Sequence, residues 1–443
     1  MTAEAQIAVA LAGTGAQVRP ASPPDSVGGV LPSCVATPTT LDQAAGVMQA
    51  AAGLELAVVP RGRGRTISWG ADPARCDVIA DMAEMDRILE YAAGDLVVRV
   101  EAGVRLGQLA EVLAEKGQRL ALDGPPADTV GGVVARNAAG PLRLRYGLPR
   151  DLLIGLTIVR ADGHVARAGG KVVKNVAGYD LGKLFAGSHG TLGLIVEATF
   201  RLHPVPELSA YVTEEYAASA AAAEAVLAAA ASPLQPSAVE LERARPGGPI
   251  RVATLLEGTP SGVSARAERM RTALGRGATS TLAAPDWWGR IGEAPPAGVT
   301  GPAGATRPGM AVGGTLVRVA FWAAELRRVL DAIDTVATST GVAAAVSGSA
   351  GAGVLYALLP ADAEDEQVAV FVRALRAATG PGPAGQDGGG SARGSVVVLT
   401  APTAVRDQVD LWGPVPSLGL MRAVKQQFDP RDLMSPGRGP GGI

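Results

Sequence analysis

Four glycine-rich stretches follow one another through the first half of this 443-residue chain and constrain its fold more than any other feature. The first is Pro60-Arg61-Gly62-Arg63-Gly64-Arg65-Thr66, and the second runs from Asp123-Gly124-Pro125-Pro126 through Thr129-Val130-Gly131-Gly132 to Ala138-Ala139-Gly140. The third is Gly169-Gly170-Lys171-Val172-Val173-Lys174-Asn175-Val176-Ala177-Gly178-Tyr179-Asp180-Leu181, and the fourth is Gly187-Ser188-His189-Gly190-Thr191-Leu192-Gly193. One such turn punctuates almost any α/β domain. Four in succession mark a backbone that is repeatedly brought close to something else.

The first two loops suggest what that is. Gly62 and Gly64 withhold the Cβ atoms that would keep an anion from the main chain. Successive amides there can form an anion-binding nest, with Thr66 adding a hydroxyl and Arg61, Arg63 and Arg65 adding charge. In the second loop Pro126 stiffens the entry, and Thr129-Val130-Gly131-Gly132 opens a short helix whose N-terminus suits a phosphate. The small residues Ala138, Ala139 and Gly140 would let a flat ring approach the backbone, shortly before Tyr146-Gly147. Neither P-loop nor Rossmann spacing is present, since there is no Gly-Lys-Ser/Thr and the first loop lacks a third glycine.

Around these loops strands and helices alternate. Residues 56–59, 78–80 and 96–100 read as strands, while 44–52, capped by Thr39-Thr40-Leu41-Asp42, and 106–116 read as helices. Asp162-Gly163 between apolar runs predicts a hairpin, and the strand over 195–202 ends a first domain at Pro204 and Pro206. Beyond it, an Ala-rich helix over 217–231 begins a second alternation of strands and helices, which predicts a sheet covered on one face by helices. No short-period solenoid repeat is evident. Residues 292–309 read as a Pro/Gly-rich loop and 380–394 as a low-complexity, mobile one. The expected class is α+β: a two-lobed domain over 1–206, a cap domain over 207–410 with an antiparallel sheet, and a segment over 411–443 returning to the first domain.

Bulk properties exclude several function classes. A net charge of -2 argues against nucleic acid as the main partner. The two cysteines, Cys34 and Cys76, have no Cys-x-x-Cys spacing and read as isolated reduced thiols, so the chain supplies no cysteine set for an iron–sulfur cluster or zinc. The N-terminus lacks a signal-peptide pattern, and the Ala-rich run is too short and too weakly apolar to span a bilayer, so a cytoplasmic protein is expected.

The loops at 60–66, 129–132, 169–181 and 187–193, with Met421-Arg422-Ala423-Val424-Lys425-Gln426-Gln427-Phe428-Asp429-Pro430 and Ser435-Pro436-Gly437-Arg438, resemble the vanillyl-alcohol oxidase (PCMH-type) family of FAD-binding proteins, and within it the FAD-binding "E-type" subunits of glycolate oxidases. The resemblance implies FAD as cofactor. Its pyrophosphate would lie on the turn at 60–66 and the helix start at Thr129, Val130, Gly131 and Gly132. Ile195 and Val196 would face the adenine, and Ala138, Gly140 and the loop Gly178, Tyr179 and Asp180 would lie near the isoalloxazine. Lys174 or Arg438 beside the flavin would stabilise anionic reduced forms; as solvated surface charges they would not. Ser435 stands where relatives carry Asn. The first two loops carry neither the His nor the Cys that bonds FAD covalently in some relatives, so noncovalent FAD is implied.

The resemblance further implies an electron-transferring subunit that assists oxidation of glycolate to glyoxylate beside a second flavoprotein subunit and an iron–sulfur subunit, peripheral to the membrane through that complex. Oxidising a 2-hydroxy acid by hydride transfer requires a base or a metal-lowered pKa. All three histidines, His164, His189 and His203, lie in the first domain, and the cap has none. Glu197 reads as structural and Asp429, before Pro430, as a turn or cap residue, and Asp286 beside Trp287-Trp288 is no acid–base pair. No catalytic base is assigned. A stand-alone 2-hydroxy-acid or alcohol dehydrogenase is the alternative, and a scaffold whose flavin site has decayed is a third reading.

Overall fold

The computed structural model describes residues 3–138, 140–170, 180–291, 314–380 and 394–443. They divide into two compact units, one made of Met1–Ala139, Gly147–Val205 and Val415–Ile443, the other of Gly140–Tyr146 and Pro206–Pro414. Gly140 and Tyr146, expected in the first domain, thus group with the second.

The first unit contains two main sheets. Strands β1 (Gln17–Pro20), β2 (Cys34–Thr37), β3 (Val58–Arg61) and β4 (Val78–Asp81) lie in the order β1-β2-β4-β3, with β2 and β3 parallel to β4. Period-two alternation explains why these short apolar runs are buried on both faces. Cys34, Ala36, Val58, Val78 and Ala80 enter a core with the helix Leu41–Gly53, while Val35, Val59 and Ile79 form a separate cluster with Cys76. That helix starts where the Thr39-Thr40 pair predicts. The Thr40 hydroxyl accepts from the Gln43 amide, and the Gln43 side chain accepts from the Thr39 amide.

The second sheet, wholly antiparallel, has β5 (Ile88–Ala92), β6 (Val97–Glu101), β8 (Leu153–Val159), β9 (Val165–Gly169) and β10 (Leu194–Arg201) in the order β5-β6-β10-β8-β9. The Asp162-Gly163 turn joins β8 to β9, with Gly163 at φ +85°, and β7 (Gln118–Arg119) pairs with β11 (His203–Pro204). The helices Leu106–Ala114 and Val130–Arg136 pack Leu109, Leu113, Val130 and Val134 against this sheet.

The second unit is one eight-stranded antiparallel sheet of β12 (Leu208–Tyr216), β13 (Ala238–Arg243), β14 (Ile250–Gly258), β15 (Thr279–Thr281), β16 (Thr315–Phe321), β17 (Ala345–Gly348), β18 (Val354–Leu359) and β19 (Gly394–Thr400), ordered β15-β12-β14-β13-β17-β18-β16-β19. Helices Ser219–Ala230, Pro260–Leu274, Leu326–Thr340 and Asp365–Thr379 supply the other half of its core. Each half of the unit reads β-α-β-β-α-β, the ferredoxin-like motif, and the halves join edge to edge through β13 and β17. The duplication is one of layout, so no short sequence period reveals it. The stretch expected as a loop at 292–309, and residues 381–393 of the one expected at 380–394, lie outside the described residues, while Gly394 opens β19.

Candidate cofactor site

In the first unit, the turn that leaves β3 and the start of the helix Val130–Arg136 form the walls of a cleft of about 880 Å³, open mouth included. Of the residues expected at a site, Arg61, Gly62, Arg63, Gly64, Arg65, Thr66, Thr129, Gly131, Gly132, Ile195 and Arg438 line it. Loops far apart in sequence meet here because β3, β6 and β10 deliver them to one place.

The turn at 60–66 has the character of a nest. The amides of Arg63, Gly64, Arg65 and Thr66 make no hydrogen bond with the described residues, and Gly64 has φ +71°. Four consecutive unbonded N–H groups on a cleft wall favour a bound anion. Arg63 makes no ion pair with the described residues, so its charge remains available beside them. The other two arginines of the turn are engaged. Arg61 bonds Asp25 at 2.8 Å and Asp81 at 2.6 Å, and Arg65 bonds Asp128 at 2.7 Å. Hydrogen bonds from Arg19 hold the Asp25 carboxyl well below the usual carboxylate range, with Arg61 and Ser22 adding to the effect against the cost of burial.

The second loop departs from expectation in how it works. The helix N-terminus is not free to receive a phosphate, because its amides are already used. Val130 donates to the Val104 carbonyl, Gly131 to that of Ala102, Gly132 to the Thr129 hydroxyl and Val133 to the Thr129 carbonyl. The glycines serve packing within the protein. A Cβ on Gly131 would stand 2.8 Å from the Ala102 Cβ, and one on Gly62 would stand 2.3 Å from the Thr129 hydroxyl. Bulk at Gly131 or Gly132 would therefore act first on helix packing and capping, and loss of cofactor in a valine variant would not place an anion there.

Sequence reasoning missed Asp128, Trp69 and Arg136. Asp128 is buried and bridges Arg65 and Arg136, the latter at 2.8 Å, so one carboxylate ties the nest to the helix. The Arg136 guanidinium lies 5.5 Å from the Trp69 ring centroid. Arg438 donates to the carbonyls of Ile67 (2.6 Å) and Trp69 (2.8 Å), which gives it an ordering role in the loop. The Asp-Thr pair before Gly131-Gly132 was visible in the sequence; its reach to Arg65 depends on tertiary structure.

Other expected residues fall elsewhere. Val130 and Val196 are core residues, and the Val196 carbonyl accepts from Ala102. Pro126 packs against Gly107, Gly147 turns at φ +82° beside Asp151, and the Ala138 amide bonds the Val133 carbonyl. Asp180 is exposed and pairs with Lys183 at 3.2 Å. Lys174, Gly178 and Tyr179 lie outside the described residues. His189 lines the cleft at φ +52°, its amide bonded to the Ala135 carbonyl, while exposed His164 sits on the hairpin. Ser435, at φ +46° and fully buried, donates its amide to Val58.

The second unit has a polar surface that the sequence reading also missed. Glu240, Glu242 and Glu257 are buried and share the sheet face opposite Val239 and Leu241. Tyr146 donates to Glu257 at 3.2 Å, and Arg251 bonds Glu242 while lying 5.3 Å from the Trp287 ring centroid. Burial raises the Glu242 carboxyl above its ordinary value, and Arg251 opposes that shift.

Comparison with known proteins accords with this geometry. Residues 32–169 match the family described as FAD binding domain. The chain is similar to glycolate oxidase subunit GlcD of Bacillus subtilis, 34% identical over 47% of the chain and 45% of that protein. It therefore spans less than half the length of this relative. It is 29% identical to an uncharacterized FAD-linked oxidoreductase of Mycobacterium tuberculosis over 92% of the chain and 90% of that protein. The fold matches p-cresol methylhydroxylase with a TM-score of 0.65 at 18% identity, covering 92% of this chain and 89% of that one. Residues 32–169 thus match an FAD binding domain, in a chain whose fold is that of p-cresol methylhydroxylase.

Proposed function

We propose that the chain is an FAD-dependent oxidoreductase that holds FAD noncovalently in the cleft of the first unit. In this reading it serves as an electron-transferring subunit in the oxidation of a small 2-hydroxy acid such as glycolate. The nest of four unbonded amides with Arg63 carries the reading, because the FAD diphosphate is the anion such a wall suits. Bound FAD supplies the two-electron acceptor. The chain's own residues orient it: Asp128 fixes the nest against the helix through Arg65 and Arg136, and Arg438 fixes the next turn. The likeness to GlcD, a glycolate oxidase subunit, supports the substrate class and membership of a complex; a second flavoprotein subunit and an iron–sulfur subunit are the partners that the sequence resemblance implies. Among the described residues no helix is long and apolar enough to cross a membrane, which is compatible with attachment through such partners.

The alternative reading is turnover by this chain alone, as a 2-hydroxy-acid or alcohol dehydrogenase. Anaerobic addition of glycolate or D-lactate to the purified flavoprotein separates the two. A flavin band that stays oxidised until partner subunits are added supports the subunit. Bleaching by substrate alone supports the stand-alone enzyme.

A further inference from the structure

Trp69 lines the cleft, yet its indole Nε1 is buried and has no hydrogen-bond partner among the described residues. A buried donor of this kind calls for an explanation. The backbone of the residue is held on both sides, and its ring lies against a guanidinium that is itself held. Its amide donates to the Thr66 carbonyl at 3.0 Å, and its own carbonyl accepts from Arg438 at 2.8 Å. Its ring lies 5.5 Å from the Arg136 guanidinium, which is itself held by Asp128 at 2.8 Å and by the Gly132 carbonyl at 3.1 Å. A residue that carries an unsatisfied donor is thus held one turn beyond the anion nest, among those lining the same cleft.

We infer that Trp69 donates its indole N–H to an oxygen of the bound dinucleotide. It is a positioning residue for FAD that the glycine pattern does not reveal, and the inference rests on the cleft being the FAD site. The acceptor is a phosphate or ribose oxygen, since the Thr66–Trp69 hydrogen bond places the indole's backbone beside the nest. No bond to the flavin is made or broken.

The test uses the full chain, deflavinated and 15N-labelled at tryptophan, titrated with FAD and separately with ADP and FMN. Trp69 is the one tryptophan of the first unit; the other four, at 287, 288, 322 and 412, belong to the second. Its indole resonance is identified by W69F, or by elimination with W287F, W288F, W322F and W412F should W69F fold poorly. The expected result is a downfield shift of the Trp69 indole proton on FAD binding, with a rise in Kd of about tenfold in W69F. A matching shift with ADP places the acceptor on the adenylate half, and one with FMN alone places it on the flavin half; either supports the inference. An unmoved indole proton in FAD-saturated protein overturns it, as does a folded W69F that binds FAD like the wild type. Failure of the wild type to take up FAD overturns instead the reading of the cleft.

Discussion

Asp128 shows how much of the cleft depends on one side chain. It is 6% exposed and joins Arg65, 63 positions away in the sequence, to Arg136 at the end of the helix Val130–Arg136. Asp128→Asn should lower stability by about 2 kcal/mol and weaken FAD binding more than it lowers the melting temperature of the apo chain, measured by calorimetric titration beside thermal melts. Equal FAD affinity in the two proteins would remove Asp128 from the site. Gly131→Ala carries the opposite expectation. The added Cβ would meet Ala102 at 2.8 Å, so the variant should lose about 1–3 kcal/mol with and without FAD. A selective loss of FAD affinity would restore the phosphate role that the sequence suggested for that helix start. Asp25 sets an acid limit. Its pKa is depressed in the folded chain by Arg19 and Arg61, so its contribution is full above the unfolded carboxylate value near 4 and declines as pH falls below it. Asp25→Asn should flatten the stability profile below about pH 4 in acid-melting experiments. At this scale the sequence made the nest legible, because glycine and threonine spacing is local. Asp128, Arg136 and Trp69 were hidden, because their roles depend on partners brought in by other strands.

Elements follow the same division. The strands and helices that periodicity marks are present, among them the Asp-Gly hairpin and the Thr-capped helix, since each is dictated by neighbours in sequence. β13 was missed because Ala-Val-Glu-Leu-Glu-Arg alternates carboxylates with apolar residues and reads as a solvated strand or helix, whereas all six residues are buried. The C-terminal helix Leu418–Phe428 is held by a buried lysine. Lys425 donates to the carbonyls of Thr191 and Met434, both at 2.9 Å, and pairs with Asp429 at 2.7 Å and Asp432 at 3.0 Å. Asp429, read from sequence as a turn residue, is 1% exposed and also accepts from the amides of Leu433 and Met434. Lys425→Met would leave that carboxylate without its cation and should cost about 3 kcal/mol. Hydrogen exchange should then show the C-terminal segment opening well before β12–β19. Uniform exchange across the chain would argue against this local anchor.

For the whole molecule, two units of different construction account for what composition could and could not reveal. The first is assembled from three stretches of chain, and its cleft gathers loops from both of its main sheets. The second is a duplicated ferredoxin-like sheet whose carboxylate-bearing face no motif announces, since buried glutamates acquire meaning only from strand register. The likeness to p-cresol methylhydroxylase concerns the fold, and chemistry on that fold is set by the residues each chain brings to it. The most direct measurement is calorimetric titration of FAD into the deflavinated chain, wild type beside Arg63→Ala. One FAD per chain is expected, released intact by acid precipitation, with affinity reduced about tenfold in the variant and falling with salt. A chain that takes up no FAD, or an Arg63→Ala variant that binds it as the wild type does, would contradict the assignment of this cleft.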